Sequence, residues 1–186
     1  DNLKAIEKLL PPTVATKDIY ITLGSPWVPA DIIDDFIRYL FKIPGHCYCQ
    51  TLHDPRSGTW EITNKPVYKE RISSYSTYGT KRISMLQILE RTLNMKAVTV
   101  VDELPDFRNK SGVKRLLNKA ETTAALEKQQ KLIQAFRQWI WKDERRKKRL
   151  QQIYSETYGC IRTRQFNGSF LRFPNMTSDV ELYPYQ

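Results

Sequence analysis

The chain has 186 residues, of which 40% are hydrophobic and 27% charged, and 30 Lys and Arg outweigh 20 Asp and Glu to give a net charge of +10. This hydrophobic content is enough for a buried core and argues against wholesale disorder, and no apolar run approaches the roughly 20 residues of a membrane span. The three cysteines make no disulfide framework, so a reducing, cytoplasmic location is expected.

The positive charge is concentrated in the C-terminal part of the chain. Residues 108–172 contain 17 Lys and Arg against 5 Asp and Glu, a surplus of 12, so the remaining residues, 13 basic and 15 acidic, sum to −2. A field of this sign favours a polyanion that binds through its phosphates and releases counterions. Nucleic acid is therefore the expected kind of partner, and no membrane interaction is expected.

Hydrophobic patterns in the first half of the chain predict short strands and one helix. Residues 19–23 alternate in the manner of a half-buried strand. A wide apolar stripe predicts a helix that begins near Pro29 and ends before Pro44. Residues 47–52 and 59–63 are typical of strands, and the turn residues between them predict a hairpin in which Trp60 and Ile62 alternate with polar residues and face one way.

Two histidines and two cysteines lie close together in the first strand of this hairpin and its turn, at His46, Cys47, Cys49 and His53. These residue types bind zinc, but no second Cys/His pair exists elsewhere, and His53 would have to fold back from the turn. We therefore expect packed thiols and ordinary histidines, and no metal site.

The stretch Ser73–Leu93 joins a hydroxyl-rich and aromatic segment to an amphipathic helix. Ser84 and Gln87 have the spacing of a capping box, and the leucines that follow fall on one helix face. Gly79, just before the helix, can take a positive φ angle at no steric cost.

Lys81 and Arg82 precede this helix, where an anion would meet both their charge and free backbone N–H groups. Tyr75, Tyr78 and Trp141 are candidates to stack on an exposed base, although each residue type is more often a packing residue. The alternative is a solvated turn before an ordinary core helix.

The second half of the chain predicts one more strand and two helices. Residues 97–101 are rich in β-branched side chains, and residues 102–112 are polar and broken by a proline, as in a mobile loop. A long helix is expected to open at Asn118, which has Glu121 at capping distance, and a second helix is expected over 143–158.

A run of five cations lies in the first turns of this second helix, where the helix dipole disfavours positive charge. We predict that these cations contact DNA phosphates, together with two arginines further along the chain: Arg145, Arg146, Lys147, Lys148, Arg149, Arg162 and Arg164. The alternative is a hydrated charge run, because long Lys and Arg side chains are readily solvated.

These elements predict an α+β fold with a small, mostly antiparallel sheet, packed helices, a basic helical pair and an extended tail. The expected organisation is an α+β subdomain over residues 1–112, a basic helical subdomain over 113–160 and the tail over 161–186.

Four segments in the same order resemble one known type of protein. They are residues 19–28 (IYITLGSPWV), 77–93 (TYGTKRISMLQILERTL), 136–154 (FRQWIWKDERRKKRLQQIY) and the tail 166–186 (FNGSFLRFPNM to ELYPYQ). Together they resemble the region preceding the helicase in large bacterial fusions of an SNF2-type helicase with an N6-adenine DNA methyltransferase, which occur on phages and mobile elements. The resemblance spans nearly the whole chain, and no single segment is diagnostic alone.

This resemblance implies that the chain leads into a helicase core after Gln186, which corresponds to an adenine-reading glutamine beside the nucleotide site. The family has a basic residue and a histidine where this chain has Tyr183 and Tyr185. The implied partners are the helicase and methyltransferase domains of the same polypeptide, which would use ATP with Mg²⁺ and S-adenosylmethionine.

The sequence contains no G-x-x-x-x-G-K-[ST] loop, no G-x-G-x-x-G loop and no Asn-Pro-Pro-Tyr type segment, and neither histidine has a triad-like setting. These 186 residues are therefore expected to be non-catalytic and to need no cofactor. The leading hypothesis is a DNA-binding, connecting module. The alternatives are a structural spacer that docks on the helicase lobes and, more remotely, a target-recognition domain with sequence-selective affinity.

Overall fold

A computed structural model describes residues 14–45, 48–68, 70–105 and 113–159. The described part contains four α-helices, named here α1 (Ala30–Phe41), α2 (Met85–Leu93), α3 (Lys119–Ile140) and α4 (Glu144–Tyr158). Short 3₁₀ turns lie at Thr16–Asp18 and Lys65–Tyr68, and a π-helical turn spans Ser73–Thr77. No helix in these ranges is long and apolar enough to cross a membrane.

The strands form two separate antiparallel pairs. They are β1 (Thr51–Asp54) with β2 (Thr59–Ile62), and β3 (Val101–Pro105) with β4 (Val113–Leu117). The predicted α+β class is confirmed. The small sheet is divided into two hairpins, and the predicted boundary between residues 112 and 113 lies between the two strands of the second.

The first hairpin is confirmed, with a shorter first strand than the sequence predicted. Trp60 lies opposite His53, and Ile62 lies opposite Thr51. Trp60 and Ile62 share one face and are both buried, as predicted from their alternation. In the turn, Asp54 accepts hydrogen bonds from the backbone N–H of Arg56 (3.0 Å) and the hydroxyl of Ser57 (2.6 Å).

The predicted strand over residues 19–23 is wrong, although its alternating burial is correct. Ile19, Ile21 and Leu23 are buried and Tyr20 between them is exposed. The backbone of this segment is used locally instead, because the N–H of Thr22 donates to the hydroxyl oxygen of Ser25 at 3.0 Å. The side chains therefore pack as in a strand, while no strand in the described part of the chain pairs with them.

The strand predicted over residues 97–101 is also wrong, because the strand occupies Val101–Pro105. Val100 is buried, and its N–H donates to the hydroxyl of Thr122 on α3 at 3.0 Å. Its carbonyl accepts from the N–H of Asn118 at 2.9 Å. Side chain and backbone at the start of α3 thus take the place of a partner strand. The predicted loop is correspondingly wrong over residues 102–105.

The core lies between α1, α2 and α3. All six apolar side chains of the α1 stripe are buried: Ile32, Ile33, Phe36, Ile37, Leu40 and Phe41. Phe36 is at its centre, with ring centroids 5.2 Å from Phe136 and 5.1 Å from Trp139 of α3. Leu150 of α4 belongs to the same apolar cluster, so the basic helical pair is packed on the α+β part.

Local caps set the helix ends largely as predicted. Ser84 and Gln87 form the complete capping box of α2. Asn118 accepts from the N–H of Glu121 at the start of α3. Helix α1 ends before Pro44 as expected, and Lys42, which adopts the left-handed conformation (φ 51°), closes it.

The φ angle of Gly79 is not positive, so the left-handed conformation that glycine permits is not used at this position. A Cβ at this position would lie 1.8 Å from the carbonyl oxygen of Ser74 and 2.8 Å from the backbone nitrogen of Met85. Glycine is needed here for a close backbone approach.

Candidate nucleic-acid interface

Two residues predicted to contact DNA, Tyr78 and Arg146, meet in one recess of about 660 Å³. The recess lies between the C-terminal end of α1, the segment before α2, and the corner between α3 and α4. Aromatic and cationic side chains line it: Arg38, Tyr39, Lys42, Tyr78, Trp139 and Arg146.

The floor of the recess is an aromatic cluster anchored in the core. Trp139 is 6% exposed and lies against Phe36. The ring of Tyr39 lies above them, 5.9 Å from Trp139 and 6.4 Å from Phe36 between centroids, and 47% of this residue is exposed. Tyr39 therefore presents an aromatic surface to solvent from a rigid support.

Arg146 is held by the end of α3. Its guanidinium carbon lies 3.6 Å from the ring centroid of Trp139, within cation–π distance. Its Nε donates to the carbonyl of Ile140 at 2.8 Å, and one terminal nitrogen donates to the carbonyl of Trp139 at 2.7 Å. Burial lowers the pKa of Arg146, and the charge of Asp143 opposes this. This cation satisfies the C-terminal carbonyls of α3, which explains its place in the first turn of α4.

Tyr78 is positioned by the rare π-helical turn that precedes it. Its N–H donates to the carbonyl of Ser73 at 3.1 Å, and Lys128 of α3 donates to the carbonyls of Ser76 and Thr77 (3.4 Å to Thr77). Burial raises the pKa of the Tyr78 phenol, and the nearby Tyr39 raises it further. The two phenols therefore lie near each other at the same recess.

The recess has more positive than negative groups. Arg38 forms an ion pair with Asp35, the acid that also lines the recess. Lys42 is exposed at the rim and has no ion-pair partner among the residues that the structure describes. Counting Arg146, three cations face one carboxylate, so the recess has a net positive charge.

Lys81 and Arg82 line a different recess, of about 810 Å³, together with Tyr75. Arg82 forms a 2.9 Å ion pair with Asp102 and donates to the carbonyl of Val101 at 3.1 Å. Lys81 is exposed and, within the described ranges, unpaired. The structure therefore does not bring these two cations together with Tyr78 in one site.

The capping box also reduces the number of free backbone N–H groups that were expected to meet an anion at the start of α2. The N–H of Gln87 donates to the Ser84 hydroxyl, so one backbone donor of α2 is already satisfied by the helix itself.

The cations of α4 divide into two groups, those that have an acidic partner and those that have none among the described residues. Arg149 forms an ion pair with Asp31 in the first turn of α1, and Lys147 contacts Glu144 at 3.3 Å. Arg145 and Lys148 lie three residues apart, on one helix face, and both are exposed with no side-chain partner in the described part of the chain. Arg162, Arg164 and Gln186 lie outside the described residues.

Comparison with known proteins places this arrangement in a family. A family model described as a domain of unknown function, DUF8437, matches residues 22–160, which is well over half of the chain. The chain belongs to this family. No curated protein and no solved structure matches the chain.

The DUF8437 match contains both recesses and all four α-helices, so the sites described above are part of the family region. Within it, the predicted thiol and histidine have packing contacts. Cys49 is buried, and its thiol donates to the carbonyl of Asn64 at 3.6 Å. The ring of His53 stacks on Trp60 at 4.0 Å. His46 and Cys47 lie outside the described residues.

Tyr39, Arg38 and Lys42 are recess residues that the sequence did not single out. All three belong to the end of α1, where they interrupt or follow the apolar stripe. The available signal was weak, because a single aromatic residue at the edge of an apolar stripe is common on protein surfaces. Sequence spacing gave no reason to associate it with Tyr78 or Arg146.

Proposed function

We propose that this DUF8437 domain is a non-catalytic DNA-binding module that contacts phosphates through basic side chains. The observation that carries the proposal is that Arg145 and Lys148 on α4 are exposed and, within the described ranges, have no side-chain partner. They flank Arg146, which lines a recess of net positive charge. Unpaired Lys and Arg side chains are available for phosphates without breaking contacts of the fold.

The resemblance to the region before the helicase in helicase–methyltransferase fusions supports a wider proposal. In this setting the module connects the two enzymes of one polypeptide and holds DNA for them. ATP, Mg²⁺ and S-adenosylmethionine would belong to those enzymes and not to this domain.

The test is the affinity of the domain for a short labelled DNA duplex, measured by fluorescence anisotropy at several salt concentrations. The double variant R145Q/K148Q is expected to bind about tenfold more weakly at low salt. It should also lower the slope of log affinity against log salt by about 1.8, for two lost phosphate contacts. Both side chains are exposed, so the fold should be unchanged.

The matched control is K96Q/K119Q, which removes the same charge from exposed positions that do not line the recess at Tyr78. Its affinity should stay within about twofold of the original protein. The proposal fails if duplex binding by the original protein hardly changes with salt, or if the two double variants lose affinity equally.

The second hairpin favours another candidate function, a spacer that docks on the helicase lobes. Val101, Leu104, Leu116 and Leu117 are all exposed on it, which is unusual for a hairpin of this length. A spacer of this kind would bind the helicase part of the polypeptide and have little affinity for DNA. A pull-down with the helicase part, beside the duplex titration, separates the two functions.

A further inference from the structure

We infer that the recess at Tyr39 and Tyr78 accepts one unpaired nucleotide of a DNA strand, with its base stacked on the Tyr39 ring. This inference rests on the proposed function, because it names the form of DNA that the module would hold. It assigns to the recess a role that is separate from the phosphate contacts of α4.

The size and construction of the recess suit a single base. Its volume of about 660 Å³ lies within the range of about 300 to 1,000 Å³ that is typical of small-ligand sites. A base inside a duplex is stacked and paired on its other sides, so only an unpaired nucleotide can enter. The recess should therefore distinguish single-stranded DNA from duplex DNA.

Tyr39 is already fixed as a stacking platform. Its inner side contacts Phe36 and Trp139, while 47% of the residue remains exposed. A ring held in place before binding loses little conformational freedom on binding, which favours affinity. Base–aromatic stacking also tolerates any sequence, because every base has a π face.

Tyr78 supplies a polar group beside this platform. Its phenol has no hydrogen-bond partner among the described residues, and it lies close enough to Tyr39 for the two to interact electrostatically. A phenol can both donate and accept, so it can bond to the edge of any base. The pair thus combines a stacking surface with a non-selective polar contact.

The recess has a net positive charge, but two of its three cations are engaged within the fold, so we expect the base, and not the phosphate, to be the main contact. The C-terminal ends of α1 and α3 both lie at the recess, and a helix C-terminus carries partial negative charge. Arg38 is paired with Asp35, and Arg146 is bonded to carbonyls of α3. Lys42 alone of the recess cations is left unpaired within the described ranges, at the rim. The contribution of Tyr39 to affinity should therefore change little with salt.

The experiment compares Tyr39 variants of the 186-residue chain against a labelled single-stranded oligonucleotide and the matching duplex. Y39L keeps an apolar side chain and should weaken single-strand binding about 5- to 100-fold, at both low and moderate salt, while duplex binding stays within about twofold. Y39F keeps the ring and should bind within about threefold of the original protein. Y20L is the matched control, because Tyr20 is 76% exposed and does not line the recess.

The outcomes separate this inference from the proposed function. If R145Q/K148Q loses DNA affinity while Y39L binds single strands as tightly as Y20L, the inference fails and the proposed function stands. If the original protein binds neither DNA form, the proposed function fails. Whether the recess binds a nucleotide is then decided by NMR titration with deoxyadenosine monophosphate.

This titration also decides the question if Y39L does not fold. Shifts of the ring resonances of Tyr39 and Tyr78, with smaller shifts at Tyr20, support the recess. Unchanged Tyr39 and Tyr78 resonances at millimolar nucleotide overturn it.

Discussion

The hairpins β1–β2 and β3–β4 have strands of four and five residues and the same antiparallel pairing, but they differ in what surrounds them. The first buries Trp60 and Ile62 in the core. In the second, every residue of the two strands except Asp102 is exposed. One hairpin is thus a component of the core, and the other projects from it.

The backbone of the first hairpin is satisfied by side chains from two helices. Asn94, at the end of α2, accepts from the N–H of Trp60 at 3.0 Å and donates to its carbonyl at 2.7 Å. Glu90 accepts from the N–H of Ile62 at 3.2 Å, and Asp34 of α1 accepts from the N–H of Thr51 at 2.7 Å. Helix side chains therefore cover both outer edges of a two-stranded sheet, which is otherwise marginal.

The second hairpin is held mainly through Asp102. Its carboxylate accepts from the side chain of Asn118 at 2.9 Å and pairs with Arg82. Glu103 and Arg115 form a cross-strand pair on the exposed surface at 3.0 Å. Strand pairing alone therefore does not show whether a hairpin supports the core. The contacts that surround the hairpin determine this.

The largest contrast should come from one apolar truncation in each hairpin. W60A removes a buried ring and is expected to lower the free energy of unfolding by about 3 to 5 kcal/mol. L104A removes an exposed side chain and should change it by no more than about 0.5 kcal/mol. Urea unfolding followed by circular dichroism measures both. Similar losses for the two variants would show that the second hairpin is also covered in solution.

A smaller effect is expected where Asn94 caps the edge of β2. N94A leaves the N–H and carbonyl of Trp60 without their partner and should cost about 1 to 3 kcal/mol. The control E61A changes an exposed position on the same strand and should stay within about 0.5 kcal/mol. If N94A is as mild as E61A in the same urea titration, water must replace the Asn94 contacts without loss.

The sequence predicted features that depend on neighbouring residues. The capping box of Ser84 and Gln87 needs only a three-residue spacing, and the burial of Trp60 and Ile62 follows from alternation. The alternation at residues 19–23 could not show whether a strand forms there. A strand needs a partner, and the local pattern does not say where that partner lies.

The candidate site was predictable only in part for the same reason. Tyr78 and Arg146 were named from their own surroundings, but Tyr39 enters the recess because α1 crosses the α3–α4 corner. The partners of Arg82 and Arg149 lie 20 and 118 positions away, at Asp102 and Asp31. Which cations hold the fold and which are unpaired was therefore visible only in three dimensions.

The smallest expected effect is a difference between the two hairpins in how their contacts to Asp34 and Asp102 make stability depend on pH. Burial is the main reason why the pKa of Asp34 is raised above its usual 3.8, against hydrogen bonds from Thr51 that lower it. The folded state then holds this proton more tightly than the unfolded state, so stability should fall as pH rises from about 3.8 through the folded pKa. The hydrogen bond from Asn118, followed by that from Arg82, lowers the pKa of Asp102. The contribution of Asp102 to stability is therefore present above about pH 3.8 and is lost as pH falls through its lowered pKa in the folded state.

The two carboxylates should therefore act with opposite sign in adjacent pH windows. D34N should remove the decline above about pH 3.8, and D102N should remove the loss below it, each as a difference from the original protein. Urea unfolding between about pH 2 and about pH 6 measures both, with each variant compared with the original protein at the same pH. Cross-strand NOEs of β3–β4 should weaken in acid while those of β1–β2 persist. Loss of both sets at one pH would mean that the hairpins open together, and the contrast drawn from Asp34 and Asp102 would then be wrong.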